Sequence, residues 1–197
     1  MTAAEDRAEL RDRLLRVLGG VPATPAPSQS QMLAAAAAKD GLSPHVDLVA
    51  ARITGPVDIA ALRTALDALV ARHEMLRTHF VFSPSTLMVV RPPERAQLTV
   101  EPISDLTEAG ARAAALMATP ADVGASAPHR ALLLSLDEYT HVLLAPLPHL
   151  VSDEVSHGIY LRDLAALYAG AELPPPGRYR DHAAAQAAAL ADGAAVA

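Results

Sequence analysis

The chain has 197 residues, a formal net charge of −6 and 51% hydrophobic residues, of which few are aromatic (3%). It is long and apolar enough for a folded, mainly aliphatic core. It has no Cys for disulfides, thiolate metal sites or a Cys nucleophile. With Lys39 as the only lysine it lacks a nucleic-acid binder's basic footprint, no apolar run is long enough to span a membrane, and the charged start MTAAEDRAEL is no secretory signal. A cytoplasmic α/β protein is the expectation.

Residues 5–18 place Leu10, Leu14, Val17 and Leu18 at helical spacing among charged residues, and Gly19-Gly20 ends that helix. Val21–Pro27, with Pro22, Pro25 and Pro27, reads as a stiff extended linker. Residues 1–20 therefore form a separate amphipathic helix. It is either a solvated surface with ion pairs or a docking element that binds a partner through its leucine and valine stripe. Ser28 is a candidate N-cap for a helix running to Lys39 and stopped by Gly41, whose alanines 34–38 allow close packing. His45–Ile53 reads as a strand, Gly55-Pro56 as a turn, and Asp58 as the cap of an amphipathic helix bearing Ile59, Leu62, Leu66, Leu69 and Val70. Arg77–Phe82 and Leu87–Arg91 form a hairpin around Ser83-Pro84, Leu98–Pro102 a weaker strand, and 106–118 an Ala-rich helix. Arg130–Leu136 and Tyr139–Leu147 make the clearest hairpin, and a helix follows to Ala169. The run Leu173–Gly177 (LPPPG) is a second linker before an Ala-rich helix over 179–191. This order predicts a mixed sheet with packed helices over 28–170, followed by a linker and terminal helix over 171–197.

The chemistry lies in Leu147–Glu154 (LPHLVSDE), between an apolar strand and a helix. His149 leaves the strand end four residues before Asp153, where a neutral imidazole can accept a proton from an amine or hydroxyl near neutral pH. His149, Asp153 and His157 have a spacing that suits zinc on one continuous helix, but Pro148 puts His149 ahead of the helix, and no metal is assigned. His73 and Glu74, being adjacent, point apart and make local hydrogen bonds at a helix end. Ser152 has no nucleophile elbow around it and reads as an N-cap.

The run PHLVSDEVSHGIYLRDLAALYAG resembles the signature region of condensation domains from nonribosomal peptide synthetases: two His, three variable residues, then Asp-Gly. Gly55-Pro56-Val57-Asp58 and ARHEMLRTHF over 71–80 resemble the family's Arg-His-Glu-x-Leu-Arg-Thr motif with its preceding helix. Ser28-Gln29-Ser30-Gln31 stands in the place of its Ser-x-Ala-Gln motif. The resemblance spans roughly residues 26–190 and implies a chloramphenicol-acetyltransferase-like lobe, the amino-terminal half of a two-lobed domain.

By the same resemblance, His149 is the second His, which serves amide formation between carrier-bound substrates. Asp153 is a structural carboxylate paired with Arg77. Pro148, Ser152 and Glu154 face the substrate channel. Pro148 replaces the first His and Glu154 the Gly, and a Glu near His149 would raise its pKa and leave less of the ring in the neutral, proton-accepting form at neutral pH. No cofactor is bound; the phosphopantetheine arm of a carrier protein brings the substrate. Three functions follow as expectations. The favoured one is a truncated, non-catalytic module that interacts with carrier proteins or other synthetase domains. The others are a catalytic half completed by a second lobe and a small acyltransferase completed by another copy of itself. No nucleic acid or membrane partner is implied.

Overall fold

A computed structural model describes residues 19–38, 42–43, 45–81, 87–123 and 129–191, so the helix carrying Leu10, Leu14, Val17 and Leu18 lies outside the described residues. Within them the strands run β1 (Val21–Ala23), β2 (Leu42–Ser43), β3 (Val46–Thr54), β4 (Thr78–Val81), β5 (Leu87–Val90), β6 (Gln97–Pro102), β7 (Ala121–Asp122), β8 (Arg130–Ser135) and β9 (Thr140–Pro148). The helices are α1 (Pro27–Ala37), α2 (Ile59–Arg72), α3 (Leu106–Ala118), α4 (Glu154–Tyr168) and α5 (Tyr179–Ala191), with a 3-10 turn at Glu74–Arg77.

The main sheet has the order β3-β9-β8-β6, antiparallel except for the parallel β6–β8 pair, and is therefore mixed. Side chains alternate along its strands, which gives the sheet two different faces. Val49, Ala131, Leu133, Leu143, Ala145 and Leu147 join the large core under α2 and α4, whereas Leu134 and Leu144 join a small cluster with Ile103 and Ala109 under α3. The core is aliphatic as composition requires, with Phe80 and Tyr160 its buried aromatics.

Local chemistry sets the element ends. Asp58 caps α2, its carboxylate accepting from the N–H groups of Ala60 and Ala61, a contact worth about 1 kcal/mol. Gly55 takes φ +109° in the turn before it, a conformation that L side chains rarely adopt. Residues 21–23, expected as part of a stiff extended linker, are extended but pair with β5, on the flank opposite β4. Gly20 permits that approach, since an added Cβ would lie 2.7 Å from the Val90 carbonyl oxygen.

Ser28 is not the N-cap of α1. The helix begins one residue earlier, and Ala26 stands at the cap, its carbonyl accepting from Ser30 N–H at 2.9 Å. Proline at the first helical position suits this start, because its missing N–H would have had no helical partner. Leu33 and Gln29 form the buried face, while Ala34 and Ala35 are exposed rather than packed against a neighbour.

β9 runs antiparallel to all of β3, from Thr54↔Thr140 to Val46↔Pro148, but meets β8 only from Ser135↔His141 to Leu132↔Leu144. The His149 N–H continues the first ladder to the His45 carbonyl at 2.9 Å. Odd-numbered residues at this end of β9 therefore direct their N–H toward β3. Pro146 and Pro148 occupy the even positions, whose N–H would point to the other flank, beyond the end of the β8 pairing. The strand thus carries its prolines without losing a ladder bond.

Candidate functional site

The β3–β9 register puts Asp47 opposite Leu147 and diagonally across from His149, on the same face of the sheet. His149 Nδ1 donates to Asp47 Oδ2 at 2.7 Å. A carboxylate only accepts, so Nδ1 carries the proton and the neutral ring keeps its basic lone pair on Nε2. Ser152 Oγ donates to the same Asp47 oxygen at 3.3 Å, and His157 Nε2, from the first turns of α4, lies 3.8 Å from it. The residues that gather here are His149, Ser152, His157 and Asp47.

Asp153 is not part of this cluster, and it does not pair with Arg77. It is exposed and caps α4, its Oδ1 accepting from Ser156 N at 2.8 Å and Ser156 Oγ at 2.6 Å. Those bonds hold its carboxyl below the usual range, helped by the nearby His157 and His149. A helix-cap position satisfies this carboxylate locally, so it needs no cation. Arg77 lies instead against the β5 end, where NH1 donates to the Arg91 carbonyl, and burial lowers its pKa from the ordinary value. Ser152, expected as an N-cap, precedes the cap residue and reaches Asp47 and the Pro148 carbonyl. Glu154 is exposed on the first turn of α4, and no ion pair joins it to His149; the carboxylate beside the imidazole is Asp47. Both histidines of the zinc spacing turn to Asp47 rather than to Asp153, and no metal-binding cluster occurs among the described residues.

A cavity of about 460 Å³ adjoins this cluster. Its wall draws on all three segments singled out in the sequence: Gln29 and Met32 from α1, His73–Leu76 after α2, and Leu147 of β9 with His149–Asp153 after it. Arg178, Tyr179 and His182 close another side, and Pro148 and Glu154, expected to face the channel, are not among the lining residues. Gln29 is buried and joins two of these parts. Its Oε1 accepts from Ala26 N at 3.0 Å, and its Nε2 donates to the Leu150 carbonyl at 2.9 Å. Gln31 is exposed, and the glutamine that reaches the loop after His149 is Gln29, two residues earlier.

The backbones of His73 and Glu74 make the expected local bonds at the helix end, His73 N–H to the Leu69 carbonyl at 3.0 Å and Thr78 Oγ1 to the Glu74 carbonyl at 2.8 Å, while their side chains reach further. His73 Nε2 donates to Asp163 Oδ2 at 2.9 Å, while Glu74 faces Arg180 at 3.5 Å. Burial lowers the His73 pKa, so near neutral pH it is an uncharged donor to the carboxylate. Behind the cavity, Tyr160 Oη and His129 Nε2 are 2.8 Å apart and both buried. Burial pushes the His129 pKa down to about 4 and the Tyr160 phenol upward.

Sequence reasoning missed Asp47, His129 and the Gln29 clamp. For Asp47 the available signal was a lone carboxylate near the start of a mostly apolar strand.

A family model described as the condensation domain matches residues 21–195. The chain belongs to the condensation-domain family. This condensation domain is 38% identical over 149 residues to surfactin synthase subunit 1 of Bacillus subtilis (strain 168), a match covering 73% of the chain and 4% of that protein. It is 35% identical over 144 residues to a cyclosporin synthetase of Tolypocladium inflatum, covering 71% of the chain and 1% of that protein. Among solved structures it resembles the X-domain from teicoplanin biosynthesis, with TM-score 0.74 and 28% identity over 87% of this chain and 39% of that one. The same kind of X-domain is also known in complex with OxyB. The first condensation domain of the calcium-dependent antibiotic synthetase, in complex with a substrate analogue, has TM-score 0.76 and 22% identity, over 87% and 44% of the two chains. The fold is one chloramphenicol-acetyltransferase-like lobe, and the chain spans less than half of each of these solved structures.

Proposed function

We propose that this lobe supplies the histidine-bearing half of a condensation-type site for carrier-bound substrates. His149 Nε2 accepts the proton of an attacking amine as the nitrogen bonds to a thioester carbonyl carbon. The carbon–sulfur bond then breaks, and the proton passes to the departing sulfur. The observation that carries this reading is the 2.7 Å contact from Nδ1 of an exposed His149 to Asp47, beside a cavity, which leaves Nε2 as the basic atom. The likeness to peptide synthases and synthetases supports carrier proteins with a phosphopantetheine arm as the substrate carriers. A second lobe is needed to exclude water from the reacting groups. It is supplied by a longer form of this chain, by a separate chain or by another copy.

A second reading is a non-catalytic module that docks carrier proteins or other synthetase domains. Pro148 in place of the first His and Glu154 in place of the Gly favour it, as does the likeness to an X-domain that forms a complex with OxyB.

The test mixes the protein and a candidate second lobe with two loaded carrier proteins and follows amide product by mass spectrometry. On the first reading product forms and His149→Ala abolishes it. Absence of product despite a demonstrable complex rejects that reading. Gain of product only in a Pro148→His/Glu154→Gly double variant establishes the second, with those two residues as the cause of silence.

A further inference from the structure

We infer that Asp47 is a positioning residue for His149: from the neighbouring strand it fixes the imidazole as the Nδ1–H tautomer and so assigns the basic role to Nε2. This inference deepens the histidine-bearing half-site reading and rests on it for its catalytic meaning.

Three observations carry it. The first is directional: a 2.7 Å contact to a group that only accepts leaves one protonation pattern for the neutral ring. The second is that the pair does little for stability. The His149 side chain is 44% exposed and that of Asp47 27%, and ion pairs this open to water contribute little to folding. The main effect left to the contact is ring orientation and tautomer. The third is that neither partner is free to drift. The His149 N–H is bonded to the His45 carbonyl, Asp47 is held in the paired ladder opposite Leu147, and the loop after His149 is clamped by Gln29 at Leu150. An imidazole on a pinned backbone beside a carboxylate on a pinned strand is a preorganised arrangement.

The remaining polar groups around the pair are consistent with this role. Asp153, the other carboxylate near His149, is occupied as the cap of α4. Ser152 Oγ donates to Asp47 and helps hold its carboxylate in place. His157 approaches the same oxygen only to 3.8 Å, beyond hydrogen-bond reach, so His149 is the imidazole that Asp47 binds.

The experiment is long-range proton–nitrogen NMR of the full chain labelled with 15N-histidine, at a pH where the ring is neutral, with His149 assigned by its absence in His149→Gln. The wild type should give the Nδ1–H pattern. Asp47→Ala should release the ring to a mixture of tautomers. Asp47→Asn, which can donate to Nδ1, should favour the Nε2–H form. An Nε2–H pattern in the wild type, or no change in either variant, overturns the inference. Unchanged signals from buried His129 and His141 serve as the folding control. In the reconstituted amide-forming assay Asp47→Ala should lower kcat at least roughly tenfold with little change in KM. A wild-type rate in that variant, while His149→Ala is inactive, also overturns it. The expected NMR pattern without product from any second lobe would instead remove the half-site reading and leave the tautomer assignment standing.

Discussion

At the scale of single residues, the structure separates groups that face water from groups that titrate because they are buried. His129 has its pKa pushed from 6.5 down to about 4 by burial. Its folded value lies below its unfolded value, so the unfolded chain takes up this proton first. The resulting stability is present above pH 6.5 and is lost as pH falls from there toward 4. The shift corresponds to about 3 kcal/mol. Urea midpoints measured from pH 7 to pH 4.5 should fall steadily in the wild type and less steeply in His129→Gln; equal slopes would contradict the assignment. Residue identities were the most legible level in the sequence. The place of His149 at the strand end and the Asp58 cap were both readable, because a motif or cap depends on near neighbours. Asp47 was not, because only the pairing of β3 with β9, residues about a hundred positions apart, brings it to His149. The Asp153–Arg77 pair failed for the complementary reason: a carboxylate at a helix start had a cheaper local partner in Ser156.

Between elements, the strongest polar junction is Asp163 on α4. Its side chain is almost fully buried and accepts from Arg72 Nε, His73 Nε2 and both Arg162 nitrogens within reach, at 2.8–2.9 Å. Burial works to raise its pKa, and these bonds outweigh it, so the carboxyl ends below its ordinary value. Arg72 also donates to the Pro174 carbonyl at 2.6 Å, so one junction ties α2, α4 and the Pro-rich segment between α4 and α5. Asp163→Ala would leave Arg72 and His73 without their acceptor and should cost about 3–5 kcal/mol in chemical denaturation. A cost below 1 kcal/mol would mean that water replaces the carboxylate easily. Element type and order were legible from periodicity, down to the start of α3 and the β8–β9 hairpin. What joins elements was less so: Val21–Ala23 reads as linker by composition, and becomes a strand only because Gly20 lets it reach β5.

At the scale of the whole molecule, the described residues cover the two faces of the main sheet unequally. One is packed by α2 and α4 over the large core, whereas the other rests on α3 and a few side chains, with Ala109 the only buried residue of that helix. Local opening follows buried apolar contact. In hydrogen exchange the α3 amides should therefore lose protection well before those of α2 and β9; equal protection would show that the lobe opens only as a unit. This asymmetry was invisible in the sequence, where both faces read as strongly apolar strands.

The prolines at 146 and 148 have a consequence for assembly. Along that flank β9 presents carbonyls but lacks donors at two alternate positions, so an added strand cannot zip onto it. Along this flank, recognition of the lobe is left to side chains and shape around the His149 loop. Grafting such lobes onto new neighbours is therefore a question of matching surfaces, with no shared hydrogen-bond ladder along that flank to set the register.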